Sequence, residues 1–353
     1  MAWEALRCVG ILGYGLGSGF WHYVAANLLW SLGAAFSIGT SAYLYDSLLE
    51  AGYESEFPRY IGRNTMIQLG SNALGAFAGG LLVAVTGDIQ ITLLVGSAWN
   101  LVAVGIALTF VEPKVTRATE GSFGKQLAQG LRIVRRREGV ALLIVFEVVL
   151  GVTLYAMALF RPVYLTDGLG LAEAEVATWV SGFLLMAAVV AAFAGGIAAR
   201  LGEFRTIAAI VALASGGFLG LYAAGATSWA VLLQAPIYIA WSLQPIMTTA
   251  FLNRRLEPGQ RATVLSLGAF AFTLALVVAE PLIGLATTFT NVITLGLALG
   301  LLTLVPSLYV LVRWRQTVAP WPPVTPVPSR LVPGGGRLSR FARLLERLSR
   351  FKP

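Results

Sequence analysis

The sequence has very few of the residues that build metal sites, disulfides and charged surfaces. It contains one cysteine, Cys8, and one histidine, His22, which excludes an internal disulfide and any site built from several thiolates or imidazoles. Only 12% of its 353 residues are charged, whereas soluble chains carry about 25%. Hydrophobic residues make up 57% before its 39 glycines are counted. Because so many apolar groups cannot be hidden inside a water-soluble globule, the chain belongs in a lipid bilayer.

The apolar residues are grouped in long segments. A run of about 20 apolar residues spans a bilayer as a helix, because a helix satisfies all its backbone groups internally. We therefore predict an all-α, polytopic membrane protein with about ten transmembrane helices. The predicted spans are residues 7–22, 24–48, 61–86, 89–111, 140–164, 174–199, 206–226, 229–252, 263–289 and 291–312.

Nearly all the lysines and arginines lie on one side of these predicted spans. They follow the second, fourth, sixth, eighth and tenth spans, while the opposite side carries only Arg161. Loops on the cytoplasmic side are enriched in these residues. We expect a multi-pass protein of the plasma or inner membrane whose central loop and C terminus are cytoplasmic. This placement accounts for the net charge of +8, so nucleic acid is not expected as a partner.

Residues 41–70 and 249–268 form an internal repeat. Arg63, Thr65, Leu69 and Gly70 of the first copy match Arg261, Thr263, Leu267 and Gly268 of the second. The repeat relates spans two and three to spans eight and nine, which gives a period of six spans. A complete duplication would need two further spans before the first, so we expect the chain to be truncated at its N terminus, either by a wrongly chosen start or by genuine loss.

The repeated segments also carry a resemblance. The residues that carry it are Tyr45-Asp46-Ser47-Leu48, Arg63, residues 261–267 and the basic central loop. In these residues the sequence resembles the major facilitator superfamily. This resemblance covers about residues 7–314. It implies two helical bundles with twelve helices in all, alternating access and a central substrate cavity. The implied organisation is an incomplete four-span bundle (1–112), a basic cytoplasmic linker (113–139), a six-helix bundle (140–314) and a tail (315–353).

Two family motifs are altered. In the antiporter motif at residues 75–80, Ala76 stands in place of the family's proline, which weakens an antiporter assignment. In a degenerate loop motif at residues 195–202, Ala199 stands in place of the aspartate. A glycine-rich stretch, residues 13–19, resembles a nucleotide motif and a potassium filter, but it lies within an apolar span. We predict that its glycines serve close helix packing.

Ionisable residues inside a span cost about 2.5–3.5 kcal/mol each on insertion scales, so they tend to have functions. We predict that Glu147 binds a coupling proton or a cationic substrate; the alternative is an acid that reaches water or pairs with a cation. Arg161 lies on the same helix face. Glu280, before Pro281, either takes part in gating or fixes a helix kink.

Polar and aromatic stripes complete the predicted transport pathway. Gln68 and Asn72 of the third span are expected to line a cavity, whereas Gly75 and Gly79 on the same stripe are expected to pack against another helix. The eighth span contributes Gln234, Tyr238 and Trp241, a wall suited to a bulky substrate; ordinary packing is the alternative.

A cytoplasmic gate is predicted at the repeat loops. Asp46 and Arg63 each oppose the dipole of their helix, which favours a pair between them or with partners in the other half. Arg205 and Arg261 are the further gate candidates. The alternative is a solvated surface pair.

The sequence predicts a secondary active transporter of a small solute, without a cofactor. Residues 121–125 are too short for a phosphate-binding loop, and Gln126 stands where such a loop has Ser or Thr. An ion gradient, with the proton as the first expectation, would then drive transport, and efflux is one direction considered. The alternatives are a non-transporting truncated remnant and a membrane-embedded lipid-modifying enzyme. An enzyme is not expected, because the sequence has no cluster of base, nucleophile or metal ligands.

The tail has two parts. Its prolines between residues 320 and 333 prevent regular helix. Residues 338–351 then alternate apolar and arginine positions at helical spacing, which predicts binding to anionic lipid of the inner leaflet. A disordered, solubilising tail is the alternative.

Overall fold

The computed structural model describes residues 2–36, 43–44, 47–48, 53, 57–88, 90–109, 123–256 and 258–317. Within them the chain forms eleven α-helices, which confirms the all-α prediction. They are α1 (Ala2–Leu16), α2 (Phe20–Phe36), α3 (Phe57–Thr86), α4 (Gln90–Ala107), α5 (Phe123–Arg136), α6 (Glu138–Val163), α7 (Glu173–Ala192), α8 (Ala194–Ala224), α9 (Gln234–Arg255), α10 (Pro258–Phe289) and α11 (Val292–Thr317). A π-helical turn, Tyr164–Gly168, extends α6, and a 3-10 helix, Ser228–Leu233, leads into α9.

Eight helices in the described part are long and apolar enough to cross a membrane, and they correspond to predicted spans three to ten. The first two predicted spans differ from the structure. α1 ends at Leu16 and α2 begins at Phe20, because the Gly17–Gly19 segment breaks the helix. Hydropathy alone predicts one continuous span there, residues 7–22. The predicted central linker also contains a helix, α5.

Glycines of α1 pack against neighbouring helices, and for Gly15 this agrees with the packing predicted for residues 13–19. A Cβ atom added to Gly10 would lie 2.8 Å from the backbone nitrogen of Trp30 on α2. One added to Gly15 would lie 2.8 Å from the side chain of Leu94 on α4. Only glycine allows these helices to approach so closely, so α1, α2 and α4 form one packed group.

The second group consists of α6 to α11, and its core lies between α6, α8, α9 and α11. Leu143 and Leu150 of α6 and Ile210 and Phe218 of α8 are completely buried there. Because lipid is as apolar as these side chains, they hold the helices together by close van der Waals packing and not by removal from water. In the same core the hydroxyl of Thr303 donates a 3.0 Å hydrogen bond to the hydroxyl oxygen of Thr153.

Helix α3 joins the two groups, since it packs along α7 of the second group. A Cβ atom on Gly62 would lie 2.7 Å from the carbonyl oxygen of Ala191, and one on Gly80 would lie 2.6 Å from the Cβ of Ala177. Because these glycines lie 18 residues apart, the two helices are in close contact over about 27 Å.

The spans alternate in direction, and we name the two ends by their residues. The basic end contains the start of α6, the turn around Gly202 and the ends of α9 and α11. Gly202 has φ of +74°, a conformation that favours glycine, and it breaks α8 into two helical parts. The opposite end contains the Tyr164–Gly168 turn and the start of α9.

Candidate transport site

Four buried polar side chains lie on the far end of α6 and the start of α9, and two of them, Arg161 and Tyr238, are in contact. We name this set the arginine cluster: Arg161, Tyr164, Gln234 and Tyr238. Arg161 stands in the last turn of α6, just before Pro162, and Tyr164 begins the π-helical turn that follows. Proline removes one helical hydrogen bond, and π-turns in helices are often found at functional sites. Gln234 and Tyr238 occupy one face in the first two turns of α9.

The cluster is buried although its members are polar. Arg161 is 9% exposed, Tyr164 2%, and Gln234 and Tyr238 are completely buried. The guanidinium carbon of Arg161 lies 4.0 Å from the centre of the Tyr238 ring. A desolvated cation–π contact of this kind contributes about 2 kcal/mol. This offsets only part of the cost of burying the cation.

Several buried hydrogen-bonding atoms of the cluster have no partner within the part of the chain that the structure describes. The buried atoms without a hydrogen bond include Arg161 Nε, both phenol oxygens and both amide atoms of Gln234. Among the described residues no carboxylate lies within ion-pair distance of Arg161. Each unsatisfied buried polar group costs about 1–3 kcal/mol. Four side chains left in this state on these two helix segments are more easily explained by binding than by packing.

An aromatic wall adjoins the cluster. The ring of Phe183 on α7 lies 5.4 Å from that of Tyr238, and Trp179 stacks on Phe183 at 5.7 Å. On the other side Trp241 meets Tyr238 edge-on at 6.2 Å. Trp179 is 37% exposed and Trp241 is partly buried, so the wall extends from the cluster to the helix surface.

Glu147 lies nearer the basic end on α6, facing α10. Its Oε2 atom is 3.0 Å from the position that a Cβ atom on Gly268 would take. One turn further along, a Cβ atom on Gly151 would lie 2.8 Å from the ring of Phe272. No cation among the described residues pairs with Glu147. The acid therefore lies at a close helix–helix contact without a counter-charge.

The basic end of the second group has its own charged network. Glu203, directly after Gly202, forms an ion pair with Arg255 and lies 3.7 Å from Arg254. The guanidinium of Arg255 also lies 4.9 Å above the ring of Trp314. The backbone carbonyl of Arg255 accepts a 2.7 Å hydrogen bond from the side chain of Arg137. This network ties α8, α9 and α11 together.

Comparison with known proteins identifies the family. The model of the Major Facilitator Superfamily matches residues 4–280, more than three quarters of the chain. The chain belongs to the Major Facilitator Superfamily. It is therefore a multi-pass membrane transporter rather than an enzyme, as the sequence predicts.

Solved structures agree on the fold. A bacterial homologue of the iron transporter ferroportin, in its outward-facing state, has a TM-score of 0.55 and 16% identity, covering 89% of this chain and 82% of that one. A bacterial homologue of the human lysosomal transporter Spinster, inward-facing and unoccupied, has a TM-score of 0.54 and 16% identity, covering 91% and 83%. The two scores are nearly equal, so the likeness extends to the fold and not to one conformation. No curated protein matches the sequence.

The superfamily fold separates the predicted pathway residues. Arg161, Gln234, Tyr238 and Trp241 lie together at the arginine cluster and its wall. Glu280 is half-buried on α10, a helix that packs against α6. Gln68 and Asn72 are exposed on α3, away from its contact with α7. No described atom lies within 4 Å of a Cβ atom on Gly75, so its predicted packing role was wrong.

The predicted gate residues have separate environments. Asp46 lies outside the described residues, so its pairing with Arg63 stays a prediction. Arg63 is half-buried on α3 and Arg205 is exposed on α8. Arg261 donates from Nε to the carbonyl oxygens of Asn253 and Leu256, both 3.1 Å away, and so caps the end of α9.

Two functional features were missed in the sequence. Glu203 was not singled out, although an acid directly after a loop glycine and near two arginines was the available signal. Tyr164 was missed as well, because it lies at the end of an apolar span and only its distance of three residues from Arg161 connects it to the cluster.

Proposed function

We propose that this transporter moves a small solute by alternating access of its two helix groups and that a proton gradient drives it. In this proposal the basic end faces the cytoplasm and the protein lies in the plasma or inner membrane, in keeping with the positive-inside rule. The observation that carries the proposal is Glu147, an acid on a membrane helix that has no described counter-charge and faces a close contact with α10.

A proton on Glu147 would change that contact. As a carboxylate the side chain favours a polar or hydrated environment, and its burial in a span costs about 2.5–3.5 kcal/mol. Protonation removes the charge and with it most of this cost, so the close contact between α6 and α10 becomes more stable. Glu147 would therefore let the loaded protein change conformation and would hold the unloaded, charged protein back.

Glu280 is the second acid on the α6–α10 surface and provides the matched control. It lies 12 residues beyond Gly268 on α10, about 18 Å along the helix. If a proton acts at Glu147, neutralising Glu280 removes a charge of the same kind from the same pair of helices without affecting the coupling site.

The experiment uses proteoliposomes that contain a pH-sensitive dye. Small organic acids, amines and sugars are added one at a time, and solute-dependent proton movement is recorded. We expect Glu147→Gln to abolish solute-dependent proton movement, with a loss of at least ten-fold, and Glu280→Gln to retain it. Full proton movement with Glu147→Gln would rule out the proposed role. Preloading the vesicles with solute measures efflux in the same preparation.

A second part of the proposal concerns the tail. Residues 338–351 carry arginines between apolar residues at helical spacing, and this sequence pattern supports a helix lying on anionic inner-leaflet lipid. Such contact would hold the C terminus at the membrane surface while the two helix groups move.

A further inference from the structure

We propose that the arginine cluster binds the carboxylate of a small organic monoanion whose body is aromatic or otherwise apolar. This inference names the substrate class of the transport site and so rests on the proposed function. It begins from the charge: Arg161 is the one charged member of the cluster, and no described acid neutralises it. A ligand bearing one negative charge would balance that cation.

The hydrogen-bonding atoms of the cluster favour an anion over a neutral polar solute. Arg161 offers N–H donors in a planar fork, and its Nε is buried without a partner. The phenol of Tyr238 is a further donor beside Arg161, and the phenol of Tyr164 and the amide nitrogen of Gln234 are donors on the same two helix segments. None of the three has an acceptor among the described residues. A carboxylate has two oxygens with about four lone-pair sites, which matches a guanidinium fork and two or three additional donors.

The surroundings favour a ligand with an apolar body. On one side of Tyr238 lie Phe183 and Trp179, and on the other lies Trp241. These rings offer flat apolar surfaces that would contact an aromatic or aliphatic body while its carboxylate meets Arg161. A fully hydrated inorganic anion would gain nothing from them, so the geometry points to an amphipathic acid.

The aromatic wall also provides a path to the cluster. Trp179 is 37% exposed and Trp241 is partly buried, whereas the four cluster residues are at least nine-tenths buried. A ligand entering along the wall would contact the tryptophans first and Arg161 last. Its apolar body would then remain on the wall after the carboxylate had reached the guanidinium.

Binding can be tested without transport. Full-length protein in nanodiscs is titrated with benzoate, benzylamine, benzyl alcohol and inorganic phosphate, and tryptophan fluorescence and thermal unfolding are recorded against empty nanodiscs. We expect benzoate to bind at least ten-fold more tightly than the amine or the alcohol. Arg161→Gln should weaken benzoate at least ten-fold, and Arg161→Lys should recover part of that loss.

Two isosteric variants test the site with little risk of misfolding. Tyr238→Phe and Tyr164→Phe keep the volume of the side chain, remove one donor each and should weaken benzoate several-fold. Tyr222→Phe, at an exposed tyrosine of α8, should leave binding unchanged. The proposal is overturned if benzoate fails to bind or if Arg161→Gln binds it equally well. Preference for the amine, the alcohol or phosphate would overturn it too.

The test also separates this inference from the proposed function. Glu147→Gln should bind benzoate as the wild type does, because Glu147 lies about four turns from Arg161. If benzoate binding depends on Arg161 but the protein shows no proton movement, the anion site is supported and proton coupling is refuted. Proton movement with amines alone would support coupling and refute the anion site.

Discussion

The contact between α3 and α7 depends on the absence of a side chain at Gly62, and replacing it with alanine is a direct test. The added Cβ atom would lie 2.7 Å from the carbonyl oxygen of Ala191. Carbon–oxygen contacts between helices normally measure about 3.3–3.6 Å, so the two backbones would have to separate by about 0.6 Å or more. Since the opposing atom belongs to the backbone, no rotamer change can relieve the clash.

The loss of stability in Gly62→Ala follows from this separation of the two backbones. A gap of 0.5–1 Å removes a quarter to a half of the dispersion energy of each affected atom pair, and overpacking of a tight contact costs about 1–3 kcal/mol. Alanine is also the better helix former, by about 1 kcal/mol, and this gain opposes the clash. We therefore expect Gly62→Ala to lower the free energy of unfolding by up to about 2 kcal/mol, and to be about 1–3 kcal/mol less stable than a variant that gains the same helix propensity without a clash.

The control variant is Gly75→Ala on the same helix. No described atom lies within 4 Å of the position of its Cβ, so only the gain in helix propensity remains. The free energy of unfolding of both variants is measured by SDS titration of the detergent-solubilised protein. We expect Gly75→Ala to be as stable as the wild type or slightly more stable. If the two variants were equally stable, the close approach of α3 and α7 would be refuted.

Two further predictions concern the charges. Glu203→Leu should lower the free energy of unfolding by up to about 3–5 kcal/mol, because the buried Arg255 then loses its carboxylate, and the double variant Glu203→Leu, Arg255→Leu should recover part of the loss in the same titration. A synthetic peptide of residues 338–351 should bind vesicles containing anionic lipid more tightly than its arginine-to-glutamine counterpart. At about 1 kcal/mol per arginine the difference approaches 1,000-fold, and equal binding would refute the tail proposal.

Hydropathy predicted spans three to ten well because the bilayer forces every apolar run of sufficient length into a helix. It failed at Gly17–Gly19, where the residues are apolar or small but the backbone does not continue as a helix. Arg161 and Tyr238 were each predicted as pathway residues on different spans. Their 4.0 Å contact was not predictable, since it depends on which helices pack together and how each is rotated. Glu203 was missed for a related reason, because loop charges were used only to orient the spans.

Glu147 and Arg161 lie too far apart on α6 to neutralise one another, and this bears on how a transport cycle would work. Glu147 and Arg161 are 14 residues apart, about 21 Å along the helix. At that distance two unit charges attract by less than about 1 kcal/mol in a medium with an effective dielectric constant of 20. This is smaller than the cost of burying either charge. In the proposed cycle an anion balances Arg161 and a proton balances Glu147, so the loaded protein carries two neutralised sites. A monoanion and one proton together add no net charge, and the unloaded Glu147 and Arg161 also sum to zero. It follows that the pH gradient and the solute gradient would drive the cycle and that the membrane potential would contribute little.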